Sequence, residues 1–213
     1  STLFPYTTLF RSKKLRLKQQ YFFVSCSLQD MMNIHLRFDG KPEEFYKRWT
    51  IQLNDTHPSV SVAELMRILV DEYKIDWDTA WETTLKTFNY TNHTLLPEAL
   101  EKWPVGLFAY LIPRVLEIIY EINFRFLQEV SNRFPGDNGK LARMSLIDES
   151  GDKFIRMANL ACVGSGKING VAELHTNLLK ELVLTDWVDM FPQKFCNVTN
   201  GVTTRRFIDR KST

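Results

Sequence analysis

The stretch Ile51-Gln52-Leu53-Asn54-Asp55-Thr56-His57-Pro58-Ser59 decides how this chain folds. An apolar run ends abruptly in polar side chains and is stopped by proline. Alternation in Trp49, Ile51 and Leu53 predicts a short buried strand, and Pro58 suits the first turn of a following helix, where a missing N–H costs nothing. Asn54, Asp55 and His57 then stand at the carboxyl end of that strand, the usual ligand position in an open α/β sheet. A plainer reading makes the same residues an ordinary strand-to-helix turn in which Asp55 or Thr56 caps the helix.

The flanking segments support an alternating pattern. Lys13 to about Phe38 reads as one helix with Tyr21, Val24, Leu28 and Met31/Met32 on its apolar face. Arg37 to Arg48, with Gly40 and Pro42, reads as a polar connection. Val60 to about Tyr73 carries Val62, Leu65, Met66 and Leu69 at helical spacing. Asp76 is placed to cap the next helix, which runs through Phe88 with Trp77, Ala80, Trp81 and Leu85. A short extended piece through Tyr90 brings His93 forward. The longest helix, about Pro113 to Phe134, has a stripe of Val115, Ile119, Ile122, Phe126 and Val130, with Glu121–Arg125 and Glu129–Arg133 spaced as i,i+4 pairs. Pro135-Gly136-Asp137 ends it and starts a short helix toward Met144. Phe154 to Val163 suits a helix or a strand, Gly164 to Val171 reads as a loop opening onto a helix Ala172–Leu182, and Phe195 to Val202 reads as a strand. Strands alternating with helices predict an α/β class with a mostly parallel sheet.

Composition narrows the function. Among 213 residues, 27 basic against 25 acidic side chains give a net charge of +2, with no basic track interleaved with aromatics, so nucleic acid is excluded as the expected partner. No apolar run approaches the roughly 20 residues that cross a bilayer. Cys26, Cys162 and Cys196 are widely spaced and odd in number, which suits reduced thiols in the cytoplasm, with the plastid as the other compartment allowed. The Asn-x-Thr triplets at Asn54, Asn89, Asn92 and Asn197 read as coincidence in such a chain. Gly164-x-Gly166-x-x-x-Gly170 has neither the Walker context nor the dinucleotide spacing.

A second cluster lies one helical hairpin downstream: Tyr90-Thr91-Asn92-His93-Thr94-Leu95-Leu96-Pro97-Glu98-Ala99-Leu100-Glu101-Lys102-Trp103-Pro104-Val105. With Gln20-Tyr21-Phe22 before it and Asn197-Val198-Thr199-Asn200-Gly201-Val202-Thr203 after it, these words make the chain resemble the α-glucan (glycogen, starch or maltodextrin) phosphorylases from about Leu15 to Phe207. The resemblance implies a fragment of the N-terminal Rossmann-like domain of the two-domain glycosyltransferase type B (GT-B) architecture. Residues 13–200 then supply the C-terminal part of that domain and 201–213 the start of the second. Thr2 to Ser12 resembles the translation of a sequencing-adapter oligonucleotide, so residues 1–12 are expected to be non-native. The alternative, a targeting segment, is opposed by Pro5 and Arg11, which interrupt any long apolar core. Thr204 stands where the family usually has proline, and Asp209 to Thr213 no longer match.

The same resemblance implies the activity: orthophosphate attacks the terminal α-1,4 bond of a glucan, releasing glucose 1-phosphate with retained configuration. It implies a homodimeric parent and pyridoxal 5'-phosphate acting through its phosphate group, with the attachment lysine outside this chain. It also implies that His93 contacts the primary hydroxyl of bound glucose and Asn200 a hydroxyl of the same ring. Asp55 and His57 line the pocket on the β side of the anomeric carbon, Val171 lies beside the sugar, and Glu98 and Glu101 belong to the surrounding cleft. Asn54, Thr94 and Asn169 complete a set able to donate to and accept from sugar hydroxyls. The family usually has a histidine where Gly166 stands. His35 and His175 lie outside the matching words and read as packing or surface residues.

Two other functions fit fewer residues: a glycoside hydrolase pairing Asp55 with Glu98 or Glu101, and a non-catalytic glucan-binding module. Expressed by itself, the chain is expected to lack phosphorylase activity and pyridoxal absorbance, and to be poorly soluble where its apolar faces lack partners.

Overall fold

The computed structural model describes residues 4–207, so the expectations for Thr2, Leu3 and the segment 209–213 lie outside the described residues. Along the chain run α1 (Phe4–Arg37), β1 (Ile51–Asn54), α2 (Ser61–Arg67), α3 (Trp77–Thr87), β2 (Phe88–Thr91), β3 (Lys102–Pro104), α4 (Val105–Leu111) and α5 (Pro113–Arg133). They are followed by α6 (Asn138–Met144), β4 (Ile147–Asp148), β5 (Phe154–Arg156), α7 (Met157–Val163), β6 (Ile168–Gly170), α8 (Glu173–Leu178), α9 (Thr185–Met190), β7 (Phe195–Asn197) and α10 (Thr204–Phe207).

Four strands pair in parallel in the order β1-β2-β6-β7, and β3, β5 and β4 form a small antiparallel sheet. Register sets the faces of the parallel sheet: Leu53, Tyr90 and Ile168 stand side by side and are buried, whereas Asn54, Thr91 and Asn169 form a polar row on the opposite face. Pleating alone produces this division, because a parallel partner keeps its neighbour's face. Hydrogen bonds tie the row laterally: the Thr91 hydroxyl donates to Asn169 Oδ1 at 2.9 Å, and Gln52 Nε2 donates to Thr91 Oγ1 at 2.8 Å.

The core gathers around α2, whose Val62, Leu65 and Met66 are buried with Leu69 in the wider turn that follows it. α1 covers it with Leu17, Val24, Leu28 and Met32, and the α5 stripe Val115, Ile119, Ile122, Phe126 and Val130 is buried as its spacing predicts. Asp76 caps α3 by accepting the Thr79 N–H at 3.0 Å. Asp137 does the same for α6 through Lys140 N–H at 2.8 Å. Glu121 pairs with Arg125 at 2.6 Å, but Arg133 lies over the Phe134 ring, 6.0 Å from its centre, instead of pairing with Glu129.

Three expectations change. Pro58 is not in the first turn of α2; it lies in a separate turn, and its carbonyl accepts the Ser61 N–H at 2.9 Å where the helix begins. The segment read as a loop, Gly164 to Val171, contains the inner strand β6. Phe154 to Val163 is both a strand and a helix, β5 running directly into α7.

Lys194 is buried, 9% exposed, with Nζ donating to the carbonyls of Cys162 and Val163 at 3.2 Å each and lying 4.4 Å from the Phe191 ring centre. Burial pushes its amine down from 10.5 to about 8. A depressed lysine pKa means that the folded chain releases the proton before the unfolded chain does. The associated stability is complete above the ordinary lysine value and is lost as pH falls through about 8. Denaturant midpoints should therefore climb between pH 8 and 10.5 in the wild type, whereas Lys194→Met should lack that climb. Equal climbs in both proteins would remove Lys194 as the cause.

Candidate functional site

Strand ends bring most of the expected residues to one edge. Asn54 closes β1, and its Oδ1 is hydrogen-bonded to Nε2 of His93, two residues beyond β2. The turn presenting His93 is built by its buried neighbour Asn92: the Asn92 N–H donates to the Asn169 carbonyl at 2.9 Å, and its Oδ1 accepts the Thr94 N–H at 3.0 Å. With Asn92 held inward and Thr94 folded back, His93 points out and is exposed. The Thr94 hydroxyl accepts the Leu96 N–H at 3.1 Å, so it stabilises the next turn as well.

Asp55 adopts φ 68°, a left-handed conformation uncommon outside glycine. Such strain costs on the order of 1–3 kcal/mol and persists where the surroundings enforce it, often at functional sites. Here its N–H donates to the Thr91 carbonyl at 3.0 Å and its carboxylate accepts the Thr56 N–H at 2.6 Å. The carboxylate therefore holds its own turn and does not cap α2, whose start has no side-chain cap. The helix-capping reading of this turn fails.

On the other half of the edge, Val171 follows β6, and its carbonyl accepts the Asn200 N–H at 2.9 Å. Asn200 is exposed beyond β7. Asn54, Asp55, His93, Val171 and Asn200 thus follow the carboxyl ends of neighbouring strands. His57, Glu98 and Glu101 do not stand on that edge; they line an adjoining cavity of about 580 Å³ together with Lys13, Leu100 and Trp103. His57 also borders a second hollow of about 280 Å³ beside Gln20 and Phe23 of α1. Glu101 Oε1 accepts from Gln20 Nε2 at 3.0 Å, while Glu101 Oε2, Gln20 Oε1 and Trp103 Nε1 are buried without a hydrogen-bond partner among the described residues.

A family model described as carbohydrate phosphorylase matches residues 1–212. The chain belongs to the carbohydrate phosphorylase family. It is 57% identical over 206 residues to a glycogen phosphorylase of Synechocystis sp., covering 97% of this chain and 24% of that protein. It is 53% identical to glycogen phosphorylase 2 of Dictyostelium discoideum, over 100% of this chain and 21% of the relative. Against the glycogen phosphorylase of Saccharomyces cerevisiae it is 52% identical, over 98% and 23% respectively. The chain spans about a quarter of the length of these phosphorylases.

At Gly166, where the family usually has a histidine, a Cβ would meet the Leu85 carbonyl at 2.8 Å. His175, read as packing or surface, packs against Val171, whose N–H also donates to its Nδ1 at 3.3 Å. Burial lowers the His175 pKa, and the nearby His93 lowers it further. The available signal was its position four residues after Val171, at the start of a helix. His35 keeps its packing role, buried against Phe45 and hydrogen-bonded to the Lys41 carbonyl at 2.7 Å.

Proposed function

We propose that this chain is the glucose-positioning wall of an α-1,4-glucan phosphorylase, within a Rossmann-like domain of GT-B type. The observation that carries the reading is the Asn54–His93 hydrogen bond beside the backbone-linked Val171 and Asn200. Amides, imidazole and backbone groups at one edge offer both donors and acceptors without a dense charge, as a neutral polyhydroxylated ligand requires. The unpartnered Glu101 Oε2 and Trp103 Nε1 beside the His57 cavity add an acceptor and a donor of the same usefulness.

In this reading His93 and Asn200 bind hydroxyls of the terminal glucose, with Asn54 fixing the His93 ring and Thr94 its turn. Asp55 and His57 border the space next to the anomeric carbon, and Glu98 and Glu101 line the cleft around it. The bond between that carbon and the glycosidic oxygen breaks, the departing glucan oxygen takes up the proton that orthophosphate brings, and a phosphate oxygen forms the new bond to the carbon, giving glucose 1-phosphate and a glucan one residue shorter. This wall contributes orientation and exclusion of water, by which a bound geometry lowers the barrier.

Pyridoxal phosphate belongs to the reading, but the residues present do not form its holder. The edge residues Asn54, Asp55, His93, Val171 and Asn200 include no lysine, and buried Lys194 is committed to two backbone carbonyls. Its holder is therefore assigned to residues outside this chain. A homodimeric parent in the cytoplasm accompanies the proposal. The carboxylate-pair hydrolase is less well supported, because the Asp55 carboxylate is engaged by Thr56 and that of Glu101 by Gln20.

His93→Ala in a full-length phosphorylase carrying this segment should cost about 1–3 kcal/mol in transition-state binding. Steady-state kinetics with glucose 1-phosphate and a glucan primer should show a higher KM and lower turnover. Unchanged values would refute the assignment.

A further inference from the structure

The first turn of α8 sends two side chains back onto the strand ends of the candidate site. His175 Nδ1 accepts the Val171 N–H at 3.3 Å, and the Thr176 hydroxyl lies 2.8 Å from both the Ala172 carbonyl and Asn197 Oδ1. Together they crowd Gly170: a Cβ there would come within 2.6 Å of His175 Nδ1 and 2.5 Å of Thr176 Oγ1. The chain of contacts continues, because the Val171 carbonyl receives the Asn200 N–H at 2.9 Å.

An accepting Nδ1 fixes the tautomer, leaving the ring proton on Nε2. That atom is buried and has no hydrogen-bond partner among the described residues. Burial, followed by the proximity of His93, favours the neutral ring. A ring that only filled space would need no acceptor facing a backbone N–H.

We infer that His175 is a positioning residue of this site: its neutral Nδ1 anchors Val171, and through the Val171 carbonyl it holds Asn200 at the strand-end edge that also carries His93. The inference rests on the glucose-positioning reading given above. It predicts that the acceptor atom matters and that the ring's bulk does not.

Three variants of a full-length phosphorylase carrying this segment test it. His175→Phe keeps a ring and removes the acceptor. His175→Asn places an amide oxygen near the position of Nδ1, whereas His175→Gln carries the same amide one methylene further out. His175→Phe should raise KM for glucose 1-phosphate about tenfold with a smaller change in kcat, as expected for loss of one hydrogen bond that holds the ligand's partner. His175→Asn should return KM to within about threefold of wild type at a similar melting temperature, on the same hydrogen-bond reasoning. Should the phenylalanine protein fail to fold, Asn against Gln decides, since only their reach differs. Equal damage in Asn and Gln, or a phenylalanine variant with wild-type KM, would overturn the inference. His93→Ala separates it from the underlying reading. If that change alters KM while His175→Phe does not, only the positioning role fails; if neither does, the glucose-binding reading falls and takes this inference with it.

Discussion

Glu64→Ala is expected to destabilise the α1–α2 interface by about 3–5 kcal/mol, the usual cost of removing one partner from a buried ion pair. Glu64 is fully buried on α2, yet three side chains from two helices converge on its carboxylate with four hydrogen bonds. Arg67 donates from Nε and Nη2 at 2.8 and 2.9 Å, the Tyr21 hydroxyl at 3.0 Å and the Ser25 hydroxyl at 2.7 Å. Arg67 is only 18% exposed, and a guanidinium stays protonated at ordinary pH with or without a partner, so its charge remains when the carboxylate is removed. Its remaining partner, Glu72, is largely in solvent and cannot replace the lost bonds. Tyr21 and Ser25 would lose their acceptor at the same time. Hydrogen exchange by mass spectrometry on a full-length protein should show opening of α1 and α2 increased by roughly two to four powers of ten. Glu64→Gln keeps an acceptor oxygen and should fall between. Unchanged exchange in Glu64→Ala would mean that the network contributes little. The site is implicated because α2 starts just beyond the turn that carries Asp55 and His57.

Periodicity was informative where an element was long enough to show it. The α5 stripe repeats over about four turns, and each of its five named residues is buried. The Asp76 cap was visible because a short acceptor directly preceded an apolar helical pattern. Strand β6 was hidden for the opposite reason: it has three residues, too few for alternation, and glycines surround it. Those glycines look like loop signals, but all three answer to packing. Gly170 admits the His175 and Thr176 side chains, a Cβ on Gly164 would collide with Val62, and one on Gly166 would meet the Leu85 carbonyl. The strands of the small antiparallel sheet are equally short. At the site, Asn54, Asp55 and His93 were legible as a polar cluster ending a strand and as matching words. His175 was not, because its proposed role comes from a contact with Val171 and the neighbourhood of His93, neither of which a helical pattern encodes.

Tyr90 connects the sheet's core to the His93 turn, and two substitutions separate these contributions. It is fully buried in β2, in register between Leu53 and Ile168, and its hydroxyl accepts from Asn92 Nδ2 at 3.1 Å. Burial raises the phenol's pKa, so it stays protonated across the physiological range. Tyr90→Ala should cost about 3–5 kcal/mol, as for other buried aromatic truncations, because the cavity lies where three strands meet. Faster exchange throughout β1, β2 and β6 would report that loss. Tyr90→Phe keeps the ring packed and removes only the acceptor, leaving the buried Asn92 amide unsatisfied at about 1–3 kcal/mol. Asn92 is the post around which residues 92–94 turn, so the phenylalanine variant should keep near-native exchange in the strands while raising KM for glucose 1-phosphate in a full-length enzyme. If its kinetics match wild type, the hydroxyl has no influence on His93. If instead its strands exchange as fast as those of Tyr90→Ala, the hydroxyl supports the core itself, and the proposed division between packing and positioning is wrong.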